Sequence, residues 1–160
     1  MSVVGVSVDL RESHPVDWTR DGYTITTDPD RIDRSAVRRF LADSYLAADR
    51  PAEVIDRSLD RSLAFALIHD GRQVGMARVV TDSATFAWLC DVYIEPGHRG
   101  GGLGQWLVSV VLSHPDLEGV GRWMLGTSYS HSLYRRVGFD DVPPGKFMMR
   151  RRDAGSADPG

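Results

Sequence analysis

A run of glycines between residues 97 and 104 is the part of the sequence whose residue types point most directly to chemistry. The segment reads Gly97-His-Arg-Gly-Gly-Gly-Leu-Gly104, and an apolar periodic stretch begins with it. Glycine permits positive φ and leaves no side chain between the backbone and a ligand. Backbone N–H groups at the start of a helix, together with the helix dipole, attract anions. The sequence therefore predicts that this turn binds a phosphate or pyrophosphate group, with Arg99 adding a charge-assisted contact.

The turn lacks the features that define two common types of phosphate-binding site. It does not end in the Gly-Lys-Ser/Thr of a P-loop, and Arg99 stands where the second glycine of a dinucleotide-binding Gly-x-Gly-x-x-Gly would be required. A turn that is merely flexible is also disfavoured, because so many glycines raise the conformational entropy of the unfolded chain. We therefore expect an anion site of another type.

The elements that must position this turn follow from hydrophobic periodicity and turn residues. A strand is predicted over 86–94, ended by Pro96-Gly97, and a helix over 102–112. The other predictions are a strand at 23–27, helices at about 33–45 and 51–59, a hairpin around Asp70-Gly71 within 62–80, a strand at 123–127, a helix at 130–137 and a last strand at 147–151. This order predicts a mixed α/β (α+β) fold with an antiparallel meander at its centre, and it disfavours a doubly wound dinucleotide fold.

The organisation of the chain is expected to be simple. Residues 1–20 are predicted to be a poorly structured N-terminal arm, residues 21–152 a single domain, and residues 153–160 a flexible tail of small residues. At 160 residues the chain has the length of one domain.

Composition argues against several functional classes. The net charge of −3 is unlike that of a protein built to coat nucleic acid. Cys90 is the one cysteine, which rules out an internal disulfide framework, and the histidines lack the spacing of a metal site, so no metal is expected. The sequence has no apolar stretch of about 18 residues and no convincing signal peptide, so we expect no membrane span and, by default, a cytoplasmic location.

Two segments in register resemble the GNAT superfamily of acetyltransferases. Arg99-Gly-Gly-Gly102-Leu-Gly104 is similar to that family's Arg/Gln-x-x-Gly-x-Gly/Ala signature, and Leu133-Tyr134-Arg-Arg-Val-Gly138-Phe139 resembles the helix and Gly-Phe element before its last strands. Val92-Tyr-Ile94-Glu-Pro96 looks like the family's fourth strand and its exit. The resemblance covers about residues 23–151, and it implies a GNAT-like, mostly antiparallel central sheet with helices on both faces.

The resemblance also implies acetyl-coenzyme A as co-substrate and assigns residues to it. The backbone of the turn would hold the pyrophosphate, and the backbone of Val92 and Ile94 would pair with the pantetheine and acetyl groups where two strands separate. The turn residues concerned are Arg99, Gly100, Gly101, Gly102 and Gly104. Tyr134 would be the general acid that protonates the departing thiolate, because similar enzymes place a tyrosine of this element near the coenzyme sulfur. The alternative for Tyr134 is a helix residue that packs against the sheet.

The candidates for the group that accepts the proton of the attacking amine are Asp91, Asp82 and His131, the last of which could equally be a surface residue of its helix. Relatives of the spermidine/spermine type have a Glu-Asp pair ahead of this strand's Ile-Tyr-Val, and this chain has Cys90-Asp91 there. Asp91 is therefore a candidate for base function, directly or through an ordered water, for binding a cationic substrate, or for satisfying buried backbone groups. Regular alternation predicts that Trp88, Cys90, Val92 and Ile94 share one face of the strand. Cys90 is expected to be a buried small residue rather than a nucleophile.

The acceptor pocket of this family is built from the first two helices, their loop and nearby strand ends. The candidates at such positions are Tyr45, Asp82, Phe86 and Trp88. Their aromatic rings could stack on an aryl substrate or face a cation, and structural packing is the alternative for each.

Together the residues and the resemblance predict an N-acetyltransferase that moves an acetyl group from acetyl-coenzyme A to a primary amine by direct transfer in a ternary complex. The alternatives are a non-catalytic sensor or regulatory module that binds acyl-coenzyme A, and a peptide or protein N-acetyltransferase. The expected partner is a small-molecule amine, neither nucleic acid nor a membrane is expected, and a homodimer is compatible with the family.

Overall fold

One sheet organises the chain in the computed structural model, which describes residues 14–45 and 47–152. Its strands follow one another in chain order: β1 (Asp17–Arg20), β2 (Tyr23–Thr26), β3 (Leu63–His69), β4 (Arg72–Thr81), β5 (Ala87–Ile94) and β6 (Trp123–Met124). Neighbours pair antiparallel except β5 and β6, which are parallel. The helices are α1 (Arg34–Ala42), α2 (Ala52–Asp60), α3 (Leu103–Leu112) and α4 (His131–Arg136). This confirms the predicted mixed fold with a mostly antiparallel sheet.

Helices pack on both faces of the sheet and enclose two apolar clusters. The α1–α2 cluster holds Phe40 and Leu41 of α1 and Ile55 of α2 against Met76 of the sheet. The α3 cluster holds the buried residues of α3 against the opposite face, where Phe65 is fully buried. Helix α1 begins where the Asp33 side chain accepts a hydrogen bond from the N–H of Ala36, a standard N-cap contact.

Tight hairpin turns bring several strand ends to one end of the sheet. Asp21-Gly22 and Asp70-Gly71 have positive φ at both residues, the backbone that two-residue hairpins require. The register aligns Arg20 with Tyr23, Tyr23 with His69, and Gly75 with Ile94. The end of β1 and the exit of β5 toward the glycine turn therefore lie at the same end of the sheet.

The structure corrects the expectations at both chain ends. The poorly structured arm predicted over 1–20 is wrong for residues 17–20, which form β1 and pair with β2. The sequence of residues 17–20 has little strand preference of its own, so these residues form a strand because they pair with β2. The strand predicted at 147–151 is also wrong, since these residues are exposed and without strand structure. Residues 1–13 and the predicted tail at 153–160 lie outside the described residues.

A β-bulge interrupts β5 at Asp91. Cys90 pairs with Arg78 and Tyr93 with Met76, so a step of three residues on β5 lies opposite a step of two on β4. Asp91 has a φ of 53°, in the left-handed region that few residues other than glycine, asparagine and aspartate adopt readily. The extra residue bends the strand and shifts its alternation by one position.

The shift corrects the predicted faces of β5. Ala87 and Leu89 before the bulge and Val92 and Ile94 after it all pack into the α3 cluster. Cys90, which follows Leu89 before the extra residue, therefore points to the other side of the sheet. The expectation that Trp88 and Cys90 share a face with Val92 and Ile94 is wrong, because strict two-residue alternation holds only for an unbroken ladder.

Within the described ranges, no helix has the length and apolar character needed to cross a membrane. Among the same residues, no group of three or more His, Cys, Asp or Glu side chains is placed to hold a metal ion.

Candidate active site

A cleft of about 560 Å³ opens where β5 ends and α3 begins. Its walls are the end of β5, the glycine turn, the first residues of α3, the loop that follows α1, and α4. Such a volume is in the usual range for a small-molecule site. The cleft brings Val92, Ile94, Arg99 and Tyr134 together with most of the glycines of the turn.

The glycine turn has a backbone that other residues would not adopt easily. Gly100 and Gly102 have φ of 88° and 79°. A Cβ on Gly104 would lie 3.2 Å from Cδ1 of Leu133, so glycine there lets α3 and α4 pack closely. Around Gly100 and Gly101 the added Cβ would meet no atom within 4 Å, so the described part of the molecule leaves the turn open on that side.

The first turn of α3 presents donors to the cleft. Gly102 is the N-cap residue and offers no side chain to the helix, so no side-chain cap hydrogen bond is made. Leu103, Gly104 and Gln105 line the cleft at this point. The first N–H groups of a helix have no partner within the helix and carry the positive end of its dipole. This arrangement fits a bound phosphate or pyrophosphate.

Arg99 and His98 are held by neighbours beside the turn. Arg99 donates from Nε to the carbonyl oxygen of Ile94 at 2.6 Å, and its guanidinium carbon lies 5.3 Å from the centre of the Tyr93 ring. Nδ1 of His98 lies 2.7 Å from the hydroxyl oxygen of Tyr23. Both contacts fix the path by which the chain leaves β5.

Tyr134 reaches the cleft from α4. Its ring is half-buried and packs edge-on against Phe139, with ring centres 5.9 Å apart. Burial, with a smaller effect of nearby Tyr45, raises the pKa of Tyr134 to about 12. The phenol therefore stays protonated across the ordinary pH range and can donate a proton or hydrogen bond to a group in the cleft.

Asp91 has a different environment from Tyr134. Its buried carboxylate accepts hydrogen bonds from Nη1 of Arg50 at 3.0 Å and from Nε of Arg78 at 2.8 Å. Side-chain exposure is 5% for Asp91 and 10% for each arginine. Arg78 also donates to the hydroxyl of Ser62. The carboxylate does not line the cleft described above, so its surroundings favour a structural role at the bulge over contact with an amine.

Cys90 lies close to the charged side chains of Arg78, Asp91 and Arg50. Burial raises the pKa of the Cys90 thiol to about 11, although the neighbouring Arg78 opposes the shift. A thiol of this kind is mostly un-ionised at neutral pH and is a poor nucleophile.

The acceptor-site candidates are dispersed. Tyr45 lines the cleft, and its hydroxyl accepts a hydrogen bond from the backbone N–H of Ser128. Asp82 lies beyond the end of β4, where its carboxylate accepts hydrogen bonds from Ala84, Thr85 and Phe86. The Thr85 hydroxyl and these backbone groups hold the pKa of Asp82 well below its usual range. Neither Phe86 nor Trp88 lines the cleft.

The structure adds cleft residues that the sequence reasoning missed. Asp43 follows α1 and accepts a hydrogen bond from the Tyr93 hydroxyl at 2.8 Å. Burial and this contact raise the pKa of Tyr93. Arg136 of α4 lines the cleft as well. Asp43 lies far from β5 in sequence, so only its tertiary contact with Tyr93 reveals it.

Comparison with known proteins agrees with this geometry. The model of the acetyltransferase (GNAT) family matches residues 10–139. A candidate acetyltransferase of Gibberella zeae is 31% identical over 151 residues, which cover 79% of this chain and 84% of that protein. A crystal structure of a protein of Xanthomonas campestris assigned to the GNAT family has a TM-score of 0.77 and 42% identity, covering 80% of this chain and 92% of the other. A Clostridium acetobutylicum protein solved with acetyl-coenzyme A shares the fold at a TM-score of 0.61 and 14% identity, covering 80% and 94% of the two chains.

The fold and the cleft thus define an acyl-group transferase of mixed α/β architecture. Because the family model matches most of this chain, the chain belongs to the GNAT family of acetyltransferases. Members of that family use acetyl-coenzyme A as the donor, and the glycine turn with the uncapped start of α3 fits the phosphates of such a molecule.

Proposed function

We propose that this protein is an N-acetyltransferase that moves the acetyl group of acetyl-coenzyme A directly to a primary amine in a ternary complex. One observation carries the proposal: Tyr134, the strand end at Val92–Ile94 and the glycine turn line the same cleft. A proton donor, a strand end and an anion-binding turn are thereby side by side. The structural neighbour from Clostridium acetobutylicum, solved with acetyl-coenzyme A, supports the choice of donor.

Each group has a role in this reaction. The backbone of Arg99, Gly100, Gly101, Gly102 and Gly104 would hold the pyrophosphate. When bound, acetyl-coenzyme A supplies an activated acetyl thioester.

The backbone of Val92 and Ile94 would hold the pantetheine and acetyl groups. The carbon–nitrogen bond would form first, the carbon–sulfur bond would then break, and Tyr134, which keeps its proton until that point, would donate it to the departing thiolate. The nitrogen of the new amide would lose its remaining extra proton to water, and water would reprotonate the Tyr134 phenolate.

The acceptor side of the cleft is assigned to the end of α1 and the loop after it. An amine attacks only when neutral, so its extra proton must leave, and we assign this step to water. Asp43 presents a carboxylate on the cleft wall and is placed to hold the ammonium group before it loses that proton. Asp91 is not assigned the step, because Arg50 and Arg78 occupy its carboxylate.

A thiol-release screen tests the proposal. Purified protein with acetyl-coenzyme A is offered pools of simple amines, aminoglycosides, polyamines, amino acids and peptides, and free thiol is measured. A Cys90→Ala background removes the one protein thiol. Tyr134→Phe is expected to lower kcat by about 100-fold or more, while coenzyme A still binds. Tyr129→Phe is the matched control, since that ring is 82% exposed.

The outcomes separate the alternatives. Tight binding of acetyl-coenzyme A without thiol release from any pool would favour the sensor. Release with peptides alone would favour a peptide acetyltransferase. Equal turnover of the folded Tyr134→Phe variant and the wild type would remove the acid role from Tyr134.

A further inference from the structure

Arg20 lies beside the glycine turn although it belongs to a distant part of the sequence. It is the last residue of β1, and the hairpins place that strand end at the same end of the sheet as the exit of β5. Nη2 of Arg20 lies 3.9 Å from the position that a Cβ on Gly102 would take. Gly102 lines the cleft and Arg20 does not, so the guanidinium lies beside the wall of the cleft, next to the N-cap residue of α3 where the turn would hold an anion.

The position of Arg20 is fixed by an aromatic ring. Its guanidinium carbon lies 5.2 Å from the centre of the Trp106 ring of α3. Cation–π contact of this kind holds an arginine without using its terminal N–H donors. Among the described residues, Asp21 places its carboxylate 3.6 Å from Nε of Arg20, and the side chains of Arg20 and Asp21 are 43% and 87% exposed. An exposed pair at that distance is weak, so it does not neutralise the arginine.

Arg20 and Arg99 flank the turn from the two faces of the sheet. Arg99 lies over Tyr93, which packs against the α1–α2 cluster, whereas Arg20 lies over Trp106, which packs against the α3 cluster. The Nε of Arg99 is bound to the carbonyl of Ile94, so this residue also shapes the turn. An anion on the turn would therefore meet two cations, each held by an aromatic ring.

We propose that Arg20 binds a phosphate group of the coenzyme and so contributes to the preference for a phosphorylated acyl donor over a shorter pantetheine thioester. This inference rests on the proposed coenzyme site. Coenzyme A has a diphosphate and a separate 3′-phosphate on its ribose, and either group offers the oxygens that a guanidinium binds through paired hydrogen bonds.

Binding titrations test the inference without relying on turnover. Dissociation constants are measured by calorimetry for coenzyme A, dephospho-coenzyme A and pantetheine with the wild type and Arg20→Gln. Arg20→Gln is expected to weaken coenzyme A binding by about tenfold or more, the scale of a hydrogen bond to a charged group. Pantetheine binding is expected to stay unchanged. An equal loss for dephospho-coenzyme A assigns Arg20 to the diphosphate, and a loss confined to coenzyme A assigns it to the 3′-phosphate.

Two further variants keep the result interpretable. Arg122→Gln removes the same charge from an exposed position directly before β6, at the other end of the sheet, and is expected to bind coenzyme A as the wild type does. Arg20→Lys keeps the charge but loses the planar fork, so an intermediate affinity is expected. It also replaces Arg20→Gln as the test variant should the latter fail to fold.

The titrations distinguish a failure of the proposed function from a failure of the inference about Arg20. A wild type that does not bind coenzyme A refutes the proposed function and the inference with it. A wild type that binds, with Arg20→Gln within twofold of it for all three ligands, overturns the inference alone.

Discussion

The bulge at Asp91 gives the prediction that the structure supports in most detail. Replacing Asp91 by asparagine removes the negative charge between Arg50 and Arg78 and keeps a residue that tolerates the left-handed backbone. Replacing it by alanine removes the charge and puts a strained residue at a φ of 53°. The two variants therefore separate the loss of the ion pairs from the loss of the turn conformation.

The expected magnitude follows from burial. Side-chain exposure is 5% at Asp91 and 10% at each arginine, so the two cations would remain buried without their carboxylate. Breaking such a pair costs about 3–5 kcal/mol of folding stability. For a chain of this size, that corresponds to a fall in Tm of about 6–20 °C. Asp91→Ala should lose about 1–2 kcal/mol more through backbone strain.

The assay measures the stability of each variant by thermal and urea unfolding, and its kcat on the folded fraction. Asp141→Asn is the control: it breaks the exposed pair with Arg135, where the side chains are 69% and 53% exposed, and should change the stability by less than about 1 kcal/mol. A folded Asp91→Asn with the wild-type Tm and little remaining kcat would refute this reasoning. That result would instead support a role for Asp91 in proton transfer.

Three further predictions concern single residues. At pH 8, a pKa of about 11 leaves about one Cys90 thiol in a thousand ionised, about 200-fold fewer than for a free cysteine, so Cys90 should react more slowly with Ellman's reagent than a free cysteine does; a free-cysteine rate in the folded protein would contradict this. Burial lowers the pKa of His114, so the unfolded chain takes up that proton first and stability falls as the pH drops below about 6.5. His114→Asn, which keeps an acceptor for the N–H of Asp116, should lose less free energy of unfolding between pH 7.5 and 5.5 than the wild type, and an equal loss would argue against it. Asp43→Asn should raise the KM for the amine without changing the Kd for coenzyme A, which steady-state kinetics and calorimetry can check; an unchanged KM would remove Asp43 from the acceptor site.

The parts of the fold that local sequence determines could be predicted. The turn at 97–104 has its glycines where the backbone needs them, at Gly100 and Gly102, and the pair Asp70-Gly71 forms the predicted hairpin. The apolar periodicity of α3 led to the correct helix. In each case the determining residues lie within a few positions of one another, so a single sequence contains the information.

The remaining features depend on partners distant in sequence. The bulge is stabilised by Arg50 and Arg78, which no periodicity in β5 reveals, so the predicted faces of Trp88 and Cys90 were wrong. Strand β1 exists through its pairing with β2. The strand predicted at 147–151 had suitable residues but has no partner strand in the described structure.

The residues of the candidate site also fall into those that local motifs predict and those that only tertiary contacts reveal. Sequence motifs predict the glycine turn and Tyr134 as site residues, and the structure brings them into one cleft. Asp43, directly after α1, lines the cleft, and Arg20, at the end of β1, lies beside the glycine turn; both positions arise only through tertiary packing. Neither has a neighbouring pattern that marks it in the sequence.

The extra residue in β5 also limits how the chain can vary in length. Deleting Asp91 itself would leave a regular strand in which Ala87, Leu89, Val92 and Ile94 still share one face. With the bulge kept, deleting Trp88 would instead put Ala87 and Leu89 on opposite faces of the sheet. A deletion within the exposed stretch 143–146 would disturb no such pairing. We therefore expect length changes among related sequences to accumulate in such segments and, within β5, to be confined to the bulge.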